Sequence, residues 1–253
     1  MQRFYGWRAS RPDQRNLKFV PADLDVDQHV RIDLRAHPAM PSVWDQGQLG
    51  SCTAHGSGAA HMFMHSKQWP AHCFMPSRLA IYNKARRIEG TQNEDSGATV
   101  TDVMKALNQE GAGLETLWPY DVAKFTVKPS RSYINDASKH KITKYERVDN
   151  TKVAALQAAL VAKKPVVFGF TVYESFEGTE VAHTGMVPMP AMTESVLGGH
   201  CVALVGYDSA KKLWIVRNSW GASWGDKGYC YFPWQYLTDP DLATDFWVVD
   251  VVA

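Results

Sequence analysis

Three stretches of this sequence hold residues whose types and spacing suit nucleophilic chemistry. The first is Gln46-Gly47-Gln48-Leu49-Gly50-Ser51-Cys52-Thr53-Ala54. The pattern downstream predicts a helix over Ser51 to Trp69, with Ser51 as its cap, so Cys52 falls in the first turn. Unpaired amides and the helix dipole favour negative charge there. Since the thiolate is the nucleophile, this placement is expected to lower the thiol pKa. Gly47 and Gly50 let a substrate approach the backbone closely. The Gln46 side-chain amide and the Cys52 backbone N–H are candidate donors to a developing oxyanion.

The second stretch is Gly198-Gly199-His200-Cys201-Val202-Ala203-Leu204-Val205-Gly206-Tyr207. His200 opens a strand-like run after two glycines, which suits an imidazole projecting into a cleft. A thiol nucleophile needs such a base. The third runs from Trp214 to Tyr229 and contains Arg217-Asn218-Ser219-Trp220-Gly221. Asn218 follows a strand-like run, where its amide oxygen can accept a hydrogen bond from the His200 ring and fix its tautomer. Trp220 can cover that bond and exclude water.

Several further elements must position these groups. Gly56, Gly58, Ala59 and Ala60 keep the Cys52 helix thin enough to pass through the middle of a lobe. Pro76-Ser77 starts a second helix, with Leu79, Tyr82 and Ile88 apolar and Lys84, Arg86 and Arg87 expected at the surface. A third covers Thr99 to Asn108, with Val103, Met104 and Leu107 on one face. A further amphipathic helix, Thr151 to Lys164, ends at Pro165. Strand-like runs follow: Val166–Val172, Cys201–Tyr207, Leu213–Val216, Tyr229–Phe232 and Phe246–Val252. Helices first and strands afterwards define an α+β arrangement, with the change near Tyr120. Residues 1–30, aromatic and basic at Phe4 to Arg8, show no regular periodicity and read as an extension lying on a globular body.

Composition narrows the function. Charged residues are 21% of the 253-residue chain and hydrophobic ones 45%, which fits a folded domain with a real core. Lys plus Arg (27) nearly balances Asp plus Glu (26), so no electrostatic footprint points to nucleic acid or an anionic membrane. No apolar run is long enough to span a bilayer, and Met1 to Arg11 is not a signal peptide as it stands. The four cysteines fit no zinc template. Cys201 and Cys230 read as buried hydrophobes inside strands, which favours reduced thiols and a cytoplasmic or non-classically exported protein. His61 and His65 share a helix face, but with no third ligand in the pattern the helix histidines read as surface residues and no metal site is expected.

Together the three stretches resemble the papain-like cysteine peptidases, over most of the chain from about Val30 onward. Asn218-Ser219-Trp220-Gly221 with the following Trp224-Gly225 and Gly228-Tyr229 is the most specific part. Gln46, six residues before Cys52, has the family's spacing for its oxyanion-hole glutamine. Ser96-Gly97-Ala98 looks like the family's glycine-containing substrate wall, and Trp118-Pro119-Tyr120 like its aromatic-Pro-Tyr turn. The resemblance implies a two-lobe fold, with a helical left lobe (about 45–119) and a β-barrel-like right lobe (about 120–253) flanking the active-site cleft. The catalytic domain would then be 31–253 and residues 1–30 a short pro-segment able to lie across the cleft and restrain activity.

It further implies a Cys52–His200–Asn218 triad, an oxyanion hole from Gln46 and Cys52, support from Trp220, and substrate contacts at Gly97, Ala98 and Gly199. The reaction expected is hydrolysis of a polypeptide, as an endopeptidase, through a thioester, without metal or organic cofactor. A transamidase or deamidase on the same triad and a catalytically silent binding module are the alternatives. Leu49 stands where the family's usual motif has a disulfide-forming cysteine, and Thr53 where it has an aromatic. These departures point to a disulfide-poor bacterial or viral branch.

Overall fold

In the computed structural model, which describes residues 4–21, 30–72 and 74–251, two lobes meet along a cleft. The chain opens with a short strand β1 (Trp7–Arg8) and then β2 (Arg31–Asp33). Three helices follow: α1 (Cys52–Gln68), α2 (Arg78–Glu89) and, after the two-residue strand β3 (Ala98–Thr99), α3 (Val100–Gln109). Ser77 caps α2 by accepting from the Ala80 amide, and Thr99 caps α3 by accepting from Asp102; each such cap contributes about 1 kcal/mol. Gly90, at φ 75°, closes α2 in the left-handed conformation that glycine tolerates best. Val103, Met104 and Leu107 of α3 are buried, as their spacing requires.

The second half holds α4 (Arg131–Ala137), β4 (Ile142–Arg147), α5 (Val153–Val161), β5 (Val166–Tyr173), α6 (Thr179–Thr184), β6 (Val196–Asp208), β7 (Leu213–Arg217), β8 (Tyr229–Pro233), α7 (Trp234–Thr238) and β9 (Ala243–Val251). One sheet runs β4-β9-β5-β6-β7-β8, with β2 added to β6. Its pairs are antiparallel, and the two ends of the path, β4 and β8, do not pair with each other, so the sheet is open and not a closed barrel. Phe168, Phe170, Phe232, Phe246 and Trp247 are buried in the core of this lobe. No helix among the described residues is long and apolar enough to cross a membrane.

The small residues of α1 do what their size allows. A Cβ on Gly56 would lie 3.2 Å from the Val202 carbonyl oxygen and 3.5 Å from the Cys201 sulfur. The helix backbone is therefore pressed against β6 one turn after Cys52. This close approach brings the start of α1 to the strand that carries His200.

Two surface expectations are overturned. Lys84 and Arg86 are buried, because their charged ends reach carbonyls of other segments. Lys84 Nζ donates to Gly111 at 3.0 Å, and Arg86 donates to Gln92, Glu94 and Phe125 while stacking on the Tyr82 ring. Buried cations of this kind persist only when every donor is satisfied or nearly so. The α1 histidines are likewise interior. His55, His61 and His65 are all buried, and His65 stacks on Phe74 with ring centroids 4.2 Å apart. Burial pushes the His61 and His65 pKa values down, to about 3 and about 4, so these rings pack as neutral aromatics. Cys201 and Cys230 are buried free thiols in strands, as expected; Cys73 lies outside the described residues.

Candidate active site

Cys52 is the first residue of α1 and is wholly buried. Ser51 holds the N-cap position but makes no side-chain cap, contrary to the expectation. Its hydroxyl instead lies 2.6 Å from the Tyr120 hydroxyl and 3.3 Å from His55 Nδ1. The Tyr120 hydroxyl donates to the Gln46 carbonyl at 2.9 Å, so its partnership with Ser51 must use the serine hydrogen. This chain of bonds ties the turn before the helix to the Trp118-Pro119-Tyr120 segment.

The Cys52 sulfur meets the backbone amides of Gly6, Cys201 and Thr53, each of which favours the thiolate. Burial opposes them and prevails, pushing the thiol up to about 11. The helix start was expected to leave this thiol acidified; in the present arrangement desolvation outweighs the amides.

His200 sits on β6 immediately before Cys201, so the amide against the Cys52 sulfur belongs to its neighbour. His200 Nε2 donates to Asn218 Oδ1 at 2.8 Å. The Ser219 amide also donates to that oxygen, at 2.8 Å, and two converging donors orient the carboxamide. Trp220 stacks on the imidazole with centroids 4.9 Å apart and an interplanar angle of 29°. Nδ1 is then the ring nitrogen directed away from Asn218.

Gln46 is buried. Its Oε1 accepts from Ser219 at 2.6 Å, and its Nε2 donates to the carbonyls of Leu49 at 3.0 Å and Phe4 at 3.1 Å. Gly97 and Ala98 form the opposite wall, where the Ala98 amide donates to the Gly6 carbonyl at 2.7 Å. Two further residues hold this wall, and motif reading passed over both. The Asp95 carboxylate accepts from the Gly50 amide and the Tyr82 hydroxyl, and that hydroxyl accepts from the Gly97 amide at 2.9 Å. Neither Asp95 nor Tyr82 lies in a recognisable motif, so only the folded contacts reveal their part.

Residues 4–10 form a strap along the groove. Gly6 lies against Gly50 and the Cys52 sulfur, and a Cβ there would fall 1.7 Å from the Gly50 carbonyl oxygen. Strand β1 pairs in parallel with β3, placing Trp7 opposite Ala98. The Trp7 backbone and ring press on Gly199, and Tyr5 approaches both His200 and Trp220. Arg8 pairs with Glu89. Farther on, Leu17 and Phe19 bond to both backbone groups of Arg147 on β4. Every candidate substrate contact, Gly97, Ala98 and Gly199, thus touches this strap. Among the described residues no group of three His, Cys, Asp or Glu side chains could hold a metal.

A helical lobe and a sheet lobe, with a thiol and an imidazole carried to one cleft by different lobes, define the class of thiol hydrolases. Residues 29–236 match the model for the papain family cysteine proteases, and the chain belongs to that family. It is 38% identical over its whole length to an uncharacterized peptidase C1-like protein of Acanthamoeba polyphaga mimivirus, 88% of which is covered. The crystal structure of xylellain, a cysteine protease from Xylella fastidiosa, superposes with a TM-score of 0.91 at 35% identity, covering 100% of this chain and 99% of that one. The bromelain protease of Ananas comosus in complex with the E64 inhibitor shares the fold at 20% identity, with a TM-score of 0.67 over 88% of this chain and all of that one. Viral and bacterial relatives agree with the disulfide-poor branch that Leu49 pointed to.

Proposed function

We propose that the chain is an endopeptidase acting through a Cys52–His200–Asn218 triad, restrained by its own amino-terminal strap. The observation that carries the reading is the contact of the Cys52 sulfur, at the helix start, with the amide next to His200, whose ring is held by Asn218 and covered by Trp220. In this mechanism His200 Nδ1 takes the thiol proton. The sulfur attacks the carbonyl carbon, and the resulting oxyanion is held by Gln46 Nε2 and the Cys52 amide. The imidazolium then protonates the leaving amine. Water, deprotonated by the same imidazole, releases the acyl group from the thioester. The protein's own groups supply every step, so neither metal nor organic cofactor is invoked.

The strap supports both the site and its restraint. The Phe4 carbonyl rests on Gln46 Nε2, where the oxyanion would form. The sulfur accepts from the Gly6 N–H, so the strap places a backbone donor against the nucleophile. Residues 1–30 then act as the regulatory extension and 31–253 as the catalytic domain.

Product analysis tests the reaction type. The full chain and a Gly6→Ala variant, incubated with an internally quenched peptide, should give two hydrolytic fragments whose masses do not change when a primary amine is added. Products found only as amine adducts, or a one-dalton deamidation without chain cleavage, would replace hydrolysis by acyl transfer or deamidation.

A further inference from the structure

A small cavity behind the triad brings together polar groups that the mechanism above does not use. It lies where α1 crosses β6 and has a volume of about 10 Å³. Trp44, His55, Arg217 and Asn218 line it, and all four are buried. Two nitrogens of this lining are buried without a partner: His55 Nε2 and the carboxamide Nδ2 of Asn218. Arg217, the charged member of the lining, donates to the carbonyls of Pro41 and Ser42.

The hydrogen bonds around each residue fix what its nitrogen offers. His55 Nδ1 lies 3.0 Å from the Ser51 carbonyl oxygen, which can only accept, so Nδ1 carries the ring proton. The Ser51 hydroxyl, whose own hydrogen goes to Tyr120, is a second acceptor for that proton at 3.3 Å. Burial, with the Arg78 charge nearby, pushes the His55 pKa down to about 3, so the ring is neutral and Nε2 presents a lone pair. Asn218 Nδ2 presents N–H donors, because Oδ1 is the atom that accepts from His200 and from the Ser219 amide. One water can accept from Asn218 Nδ2 and donate to His55 Nε2, and a cavity of about 10 Å³ has room for one.

We infer that this cavity is a water site and that His55, acting through that water, is a positioning residue for Asn218. The inference deepens the peptidase reading and rests on the triad. The water pins the Nδ2 end of the carboxamide. Without it, a half-turn of the amide would no longer cost that bond, and it would set an N–H donor against the N–H of His200. Asn218 would then cease to hold the His200 proton on Nε2, and Nδ1 would cease to be free to take the Cys52 proton.

The test compares His55→Phe and His55→Gln in the full-length Gly6→Ala chain. Phenylalanine keeps a flat ring against Tyr120, whose ring lies 4.9 Å from that of His55, but it offers no acceptor. Glutamine brings an amide oxygen to the place of Nε2. His55→Phe should lower kcat for a fluorogenic peptide about tenfold and leave KM within about twofold, as expected for one lost orienting hydrogen bond. His55→Gln should restore kcat to within about threefold of the Gly6→Ala chain. Nitrogen NMR of histidine-labelled protein should show the His200 proton on Nε2 before the change to Phe and a shift toward the other tautomer after it. A crystal structure of the unaltered chain should show one ordered water bridging His55 Nε2 and Asn218 Nδ2. No such water, an unchanged kcat in a folded His55→Phe chain, or equal losses in the Phe and Gln chains would overturn the inference and leave His55 as a packed ring. The water is read without any substitution, so a variant that fails to fold cannot hide the answer. A bridging water and a shifted His200 tautomer, with no peptide cleaved by any chain, would sustain the positioning role and remove the peptidase reading instead.

Discussion

A Gly6→Ala chain is expected to hydrolyse peptide about 100-fold faster than the parent chain at equal concentration. Glycine at this position is a steric necessity of the seated strap. The added Cβ would lie 1.7 Å from the Gly50 carbonyl oxygen and 2.7 Å from the Gly50 Cα, so backbone on both sides would have to move. Overpacking of this severity costs about 3 kcal/mol, the upper end of the usual range. Placed wholly on the seated state, that raises the open fraction by about 100-fold, until opening saturates. The substitution lies outside the groove walls, so the site itself is left as built. Steady-state turnover of a fluorogenic peptide measures the gain, and an unchanged rate with an unchanged fold would count against restraint by the strap.

The largest loss is expected from Cys52→Ala in that activated background. Removing the nucleophile of a catalytic unit leaves only binding and oxyanion stabilisation, so kcat should fall by about 10⁴-fold or more. Among the described residues the other cysteines cannot take its place. Cys201 and Cys230 are buried, and burial holds both thiols well above their ordinary range. The same assay, with circular dichroism to check the fold, reads the effect. Residual activity above one part in a hundred would mean that another group does the chemistry.

The pieces that meet at the cleft were legible because they obey local grammar. Cys52 stands at a helix start, His200 at a strand start after two glycines, and Asn218 just beyond a strand. The thin helix also had a readable cause, since Gly56 is small where α1 crosses β6. What was not legible depends on distant partners. Asp95 and Tyr82 hold the glycine wall through three bonds that no periodicity encodes. Lys84 and Arg86 have the look of surface charges, yet carbonyls from other segments solvate them in the interior. Of the α1 histidines, His61 and His65 pack against Phe74, six residues beyond the end of that helix, and His55 against Trp44 and Tyr120. Ser51 looks like a cap, but Tyr120 claims its hydroxyl. The Cys52 thiol pKa depends on how deeply the sulfur is buried, which helix polarity alone does not encode.

Seating of Trp7 shows the same limit in another form. An aromatic among arginines in an irregular segment gives no sign of its destination, and Asp245 lies at the opposite end of the sequence. Only their meeting across Gly169 and Gly199 reveals a slot with a buried carboxylate at its end.

The account stands most directly on the pH dependence of Cys52 alkylation by a small haloacetamide, followed by peptide mapping, in the Gly6→Ala chain with and without His200→Ala. With the strap released, desolvation of the sulfur is relieved and a neighbouring imidazolium should hold it ionised, so the rate should stay high well below pH 7. Substituting His200 should return it to an ordinary thiol titration near pH 8.5. In the parent chain, where burial pushes the thiol up to about 11, the rate should instead climb about tenfold per pH unit from 7 to 10. A released thiol that titrates near 8.5 whether or not His200 is present would contradict the pairing of these two side chains.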